Sequence, residues 1–406
     1  MAQLVGSGSA HVTRFSLSQR IIIELRRLCG HHLTVPTAYK LEGVEEEGDE
    51  AQSNSLVTEI CKGRYNGGVV ALKVLGVPQL RRRTGQCDLR NDPEVQAAKS
   101  RFCKEVVLMK QINHDNILPF YGVSTTVSDF CLVFPWYSNG NIKDYLKRKQ
   151  DINRFNLLSG AVNGLQFLHG NRIVHGALRP SHILIDDDGN ARLSYGGRGS
   201  IVAVPNTSIA DHLQSTLDAN DSNFRYVAPE VQWPETHGKE KVLITKESDI
   251  YEMAMTVYEV LSNNIPYSGF NENSALQKVQ AGEIPGRPSE GINDQAWELL
   301  NKCWSRNPPG RPSTLELYNI LSNLASNPQG THTTQGQPAA GKLPEKLKLQ
   351  VQSLRFSRDK SKTGQFYVKF RYGNMGHKTS PTNAANASGE HTWFGLRFIS
   401  TCSTHG

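Results

Sequence analysis

The densest run of chemistry-bearing side chains is Val174-His175-Gly176-Ala177-Leu178-Arg179-Pro180-Ser181-His182-Ile183-Leu184, followed nine residues later by Leu193-Ser194-Tyr195-Gly196. Two imidazoles, a guanidinium and hydroxyls stand here among apolar residues, and neither segment contains a carboxylate. A methyl group occupies Ala177, and a methyl can neither orient an alcohol nor take its proton. Two charged residues upstream complete the set. Lys73 is the single cation of the β-branched run Val69-Val70-Ala71-Leu72-Lys73-Val74-Leu75, which reads as a strand. Glu105 lies in Arg101 to Met109, which has helical periodicity.

In their order these motifs resemble a protein kinase, whose catalytic loop reads His-Arg-Asp-Leu-x-x-x-x-Asn before Asp-Phe-Gly. The apolar frame matches while the chemical residues differ. Gly176 takes the place of the family's Arg, Ala177 that of the catalytic Asp, His182 that of the metal-binding Asn and Ser194 that of the magnesium-holding Asp. Arg179 stands where the family usually has Lys. The resemblance implies an α+β, bilobal protein kinase fold, with a β-rich small lobe and an α-helical large lobe. It also implies ATP and magnesium as cofactors. The losses predict that magnesium is not held, that ATP binding is weak or absent, and that no residue is catalytic: a pseudokinase.

Other positions acquire roles only through that resemblance. Lys73 would pair with Glu105 and with the phosphates. Ile60, Ala71 and Leu184 would enclose an adenine, with Phe134 as gatekeeper and Trp136 in the hinge. His175 and Tyr195 would stack with Met109 and Phe120 into the apolar column between the lobes. Asp249 would anchor the catalytic-loop backbone, and Glu230 of Ala228-Pro229-Glu230 would pair with Arg311 of Arg306-Asn307-Pro308-Pro309-Gly310-Arg311-Pro312. Ser53, Ser55 and Thr58 stand where the family has phosphate-loop glycines, whose lack of a Cβ lets backbone N–H groups approach a phosphate. Tyr121-Gly122-Val123 and Asn139-Gly140-Asn141 point to the tyrosine-kinase-like group.

These residues need elements to position them. Leu17, Ile21, Leu25 and Leu28 recur at helical spacing, so residues 15–29 predict an amphipathic helix ending at Gly30. It is read as docked on the folded domain. Residues 43–51 are acidic, an exposed connection or a fraying first strand. Asn141 is a candidate cap for a helix over 142–149, and residues 155–169 carry a second helical pattern. The long polar segment between Gly196 and Ala228 reads as solvated loop. Domain boundaries follow: 1–50, N-terminal helix and acidic connection; 51–326, kinase-like domain, divided at 136/137 into lobes; 327–342, flexible linker; 343–406, a β-rich segment. In the last, 347–351 and 366–372 alternate as strands and 394–399 suggests a third. This resembles the opening of a C2-type sandwich, without the aspartates that would hold calcium.

With 406 residues and ordinary apolar and charged fractions, the chain fits a soluble, cytoplasmic signalling protein. No apolar run is long enough to span a bilayer. Seven cysteines without metal-ligand spacing read as reduced thiols. The formal net charge of +7 is taken as a property of the whole chain, and the Arg81-Arg82-Arg83 run as a solvated loop. The partners expected are proteins, not nucleic acid, with membrane contact through residues 343–406 as a further reading. The alternatives to a pseudokinase are a low-activity serine/threonine kinase and a membrane-recruited adaptor.

Overall fold

A computed structural model describes residues 17–47, 53–54, 58–75, 93–194, 222–237, 244–327 and, further on, 355–358, 366–372, 375–378, 390–393 and 396–399. The described residues fall into two units, each taken by itself below. One holds α1, residues 99–108 and the C-terminal strands, and the other holds the rest.

The small-lobe sheet is built on a hairpin. Strands β3 (Thr58–Tyr65) and β4 (Gly68–Leu75) pair antiparallel from Tyr65↔Gly68 to Thr58↔Leu75. Asn66 and Gly67 make the turn, both at positive φ (49° and 76°), the geometry that matches strand twist and favours Asn-Gly. β1 (Glu45–Glu46), exposed and within the acidic stretch, pairs with β3, and so does β2 (Ser53–Asn54), at the expected phosphate-loop position. β4 continues to β6 (Cys131–Pro135), and β6 to β5 (Gly122–Ser124). Alternation sorts the sheet into two faces. Val70, Leu72, Cys131 and Val133 form a buried cluster with Val44 on one face. Ile60, Ala71, Lys73, Leu132 and Phe134 take register positions on the other.

The large lobe is helical. Its helices are α3 (Ile142–Arg148), α4 (Arg154–Gly170), α5 (Pro229–Gln232), α6 (Lys246–Ser262), α7 (Glu272–Ala281), α8 (Asp294–Cys303) and α9 (Thr314–Ser326). Most begin on a side-chain oxygen that accepts from an early backbone N–H, satisfying donors the helix leaves orphaned. Asn141 accepts from Lys143 and Asp144, Asn153 from Asn156, and Asn293 from Ala296. Thr245 and Ser248 form a reciprocal capping box at the start of α6. α6 is buried over nearly its whole length, and α9 packs on α4. A short hairpin, β7 (Ile183–Ile185) with β8 (Ala191–Leu193), lies beside α3 and α4.

In the other unit, helix α1 (Leu17–His31) has Ile22 and Cys29 buried. Arg26 Nε donates to the carbonyl of Lys104, on helix α2 (Pro93–Met109), at 3.2 Å. The helix does not stop at Gly30. That glycine lies inside the last turn, where a Cβ would come within 2.3 Å of the Lys104 side chain, so it serves close approach rather than termination. Burial and the neighbouring Cys103 push the Cys29 thiol up to about 12. The five described cysteines are buried and no disulfide joins them. C-terminally, β9 (Arg355–Arg358), β10 (Phe366–Tyr372) and β11 (Met375–Lys378) form one antiparallel sheet, and β12 (Glu390–Trp393) pairs with β13 (Leu396–Ile399). The expected strand at 347–351 lies outside the described residues, as do the Arg81 run and the segment 195–221.

Candidate active-site region

The loop from His175 to His182 is held from below by α6. Asp249 Oδ2 accepts from the His175 N–H at 2.8 Å and Oδ1 from the Gly176 N–H at 2.7 Å. The same carboxylate meets His169 Nε2 at 2.8 Å. One turn along α6, Glu252 accepts from the Leu178 N–H at 2.8 Å. Asp249 therefore has the anchoring role expected of it. His169 and Glu252 were not singled out in the sequence, although His169 sits in the readable His-Gly end of α4.

His175 is buried and its tautomer is fixed. Nε2–H donates to the Ser194 carbonyl at 2.7 Å, while Nδ1 accepts from the Ala177 N–H at 3.3 Å. Burial holds its pKa below the ordinary value, against an opposing pull from Asp249. His182 is closed in a similar way. Its Nδ1–H donates to the Ala177 carbonyl at 2.5 Å, and its Nε2 accepts from Arg179 Nε at 3.2 Å. Burial first, and the Arg179 charge second, push its pKa well below 6.5. Both ring nitrogens of this imidazole, one as donor and one as acceptor, are thus committed within the loop. The backbone then ties the loop to β8, with the Ser194 N–H donating to the His182 carbonyl at 2.8 Å.

At the two positions where the family holds magnesium, His182 has both nitrogens engaged in its own loop and Ser194 brings a hydroxyl in place of a carboxylate, so these residues do not fit the ion. Among the described residues no cluster of three or more His, Cys, Asp or Glu could hold a metal. The positions expected around an adenine keep apolar side chains. Ile60, Ala71 and Leu184 are half-buried, and Phe134, opposite Ala71 on β6, is buried with its ring 5.4 Å from that of Phe120. Trp136 lies under Lys62, whose Nζ is 4.9 Å from the ring centroid, a cation–π contact that spacing did not announce. Lys73 is in register with Ile60 and Leu132. Glu105 is half-buried on α2, and its charge acts on the buried Arg26 guanidinium of α1. Tyr195, expected in the apolar column, lies outside the described residues.

The base of the lobe carries a buried bidentate pair. Arg311 Nη1 and Nη2 donate to Glu230 Oε1 and Oε2 at 2.6 and 2.9 Å, and Arg311 also reaches the carbonyls of Ser305 and Glu247. This landmark is where the sequence placed it, and with it the frame of a kinase large lobe is complete. Residues 88–321 match the family described as protein tyrosine and serine/threonine kinase. The chain belongs to that family.

Its curated relatives are kinases by name. It is 28% identical over 275 residues to serine/threonine-protein kinase STY17 of Arabidopsis thaliana, covering 66% of this chain and 42% of that protein. To the serine/threonine/tyrosine-protein kinase HT1 of the same plant it is 23% identical over 270 residues, 65% and 62% of the two chains. Mitogen-activated protein kinase kinase kinase A of Dictyostelium discoideum is 28% identical over 256 residues, 60% of this chain and 25% of that one. The chain thus spans less than two thirds of the length of each. Among the described residues, no helix is long and apolar enough to cross a membrane.

Proposed function

We propose that this kinase-family protein is a signalling pseudokinase of the tyrosine-kinase-like group, cytoplasmic, acting by binding protein partners rather than by transferring phosphate. The observation that carries the reading is the closure of His182 by Ala177 and Arg179. The residue at the metal position spends both nitrogens on its own loop, and the residue at the base position is a methyl. A positioned general base contributes roughly 10² to 10⁴ in rate, and metals supply several kcal/mol of charge stabilisation. With neither, a bound nucleotide would have no in-line chemistry to undergo. The test is thermal unfolding with ATP, with and without Mg²⁺, beside phosphate transfer at high protein concentration. Magnesium is expected to add nothing to any shift that ATP gives. A magnesium-dependent shift, or stoichiometric transfer that Lys73→Ala abolishes, overturns the reading.

The second reading is a low-activity serine/threonine kinase. It is favoured by the names of the relatives and by the retained Ile60, Ala71, Leu184 and Lys73 positions. In that case Lys73, Glu105 and Arg179 would do the electrostatic work. The same Lys73→Ala comparison separates the two.

A further inference from the structure

The net charge of +7 is not a property of the whole chain. Residues 343–406 hold ten Lys and Arg against three Asp and Glu, which leaves 35 of each sign in residues 1–342. The entire excess sits in the segment after the kinase region, an asymmetry that points to an anionic partner for that segment.

Strand register concentrates the charge further. In the β9–β10–β11 sheet, Lys369 stands directly opposite Arg355 on one side and Lys378 on the other. Three cations thus share one cross-strand row. Alternation along β10 places Arg371 on the same face, with Ser357, Tyr367 and Gly376 at the remaining paired positions and no acid among them. Like charges directly opposite one another destabilise a sheet, so this row is favourable only with a polyanion beside it. The paired positions of the other face hold Phe356, Phe366, Val368, Phe370, Tyr372 and Met375 together with Arg358 and His377, so three of the four cations on the Lys369 face stand in register while the opposite face is mainly apolar and aromatic.

We propose that this cationic sheet face binds a membrane surface containing acidic lipids, helped by the β12–β13 hairpin. The hairpin chooses between two kinds of polyanion. Its last paired residues are Trp393 and Leu396. This apolar pair suits the headgroup region, where Trp in particular is enriched. A single-stranded nucleic acid would instead call for several aromatics on the basic face, and that face has only Tyr367. The proposal uses none of the active-site loop, so its failure and that of the pseudokinase reading are separate events.

The experiment is co-sedimentation of the full chain with phosphatidylcholine vesicles, alone or mixed with phosphatidylserine, across a salt series. The expected result is binding to the acidic vesicles only, released by salt. A lysine or arginine near such a surface is worth about 1 kcal/mol, so Arg355→Gln/Lys369→Gln/Lys378→Gln should weaken binding on the order of 100-fold. Trp393→Ser should weaken it without changing its salt slope. The melting curve of the triple variant is the folding control, and if it shifts, Lys369→Gln and the wild-type salt slope decide. The proposal fails on equal binding to both vesicles, on no binding, on salt-independent binding, or on an unweakened triple variant. Tighter binding to single-stranded RNA, lost through the same three residues, would replace the membrane with nucleic acid and equally overturn it.

Discussion

At the scale of single residues, the loop's two histidines make the fold pH-sensitive in a defined direction. Burial depresses both pKa values, that of His182 most. An unfolded chain takes up these protons near the ordinary value of about 6.5, while the folded loop resists them. Stability is therefore unaffected by these groups above that value and declines as pH falls below it. Thermal unfolding followed from pH 7.5 to about pH 5 should show a falling midpoint that His182→Asn flattens; an unchanged slope would show that the ring accepts a proton in place. The same closure predicts how the site responds to repair. Ala177→Asp alone should gain no magnesium-dependent thermal shift with ATP, because His182 still fills the metal position. The triple change Ala177→Asp, His182→Asn and Ser194→Asp should gain one.

At the scale of elements, α6 holds the active-site loop through carboxylates and Arg311 ties Glu230 into the base of the lobe. Arg311→Ala leaves Glu230 buried and unpaired, so it should cost on the order of 3 to 5 kcal/mol in urea unfolding. Asp249→Asn keeps the shape but weakens the grip on the His175 and Gly176 N–H groups, and amide exchange at those two positions should quicken more than elsewhere in the loop. Much of this scaffold was legible in the sequence. A buried charge demands a partner, so Glu230, Asp249 and Arg311 in family order announce a kinase lobe even where Ala177, His182 and Ser194 depart from the family's residues. Asn141 marked a helix start because the first backbone N–H groups of a helix likewise need an acceptor. What was not legible depends on three-dimensional proximity without a periodic signature. The closure of His182 arises because a 3₁₀ turn at Pro180–His182 folds Arg179 and Ala177 back over the ring. Gly30 reads as a stop in sequence, yet it marks where Lys104 of another helix comes near. The strand at Glu45–Glu46 was half-visible, since acidic residues mask a pattern that only pairing with β3 reveals.

At the scale of the whole molecule, charge and kinase frame are separated along the chain. The full protein has an isoelectric point of about 8.9, whereas residues 1–342 carry equal numbers of acidic and basic side chains. Net charge governs colloidal repulsion and nonspecific attraction to polyanions, and it does so over a Debye length of about 10 Å at 0.1 M salt. A chain ending after Lys342 should therefore leave a cation exchanger near neutral pH at far lower salt than the full protein. It should also be least soluble close to pH 7, where repulsion between molecules vanishes. Elution salt and turbidity against pH measure both. If the two chains eluted together, cations within the kinase region would have to form a dense patch of their own that the overall balance conceals. The work of attracting an anionic surface would then belong to that region and not to the β9–β10–β11 sheet.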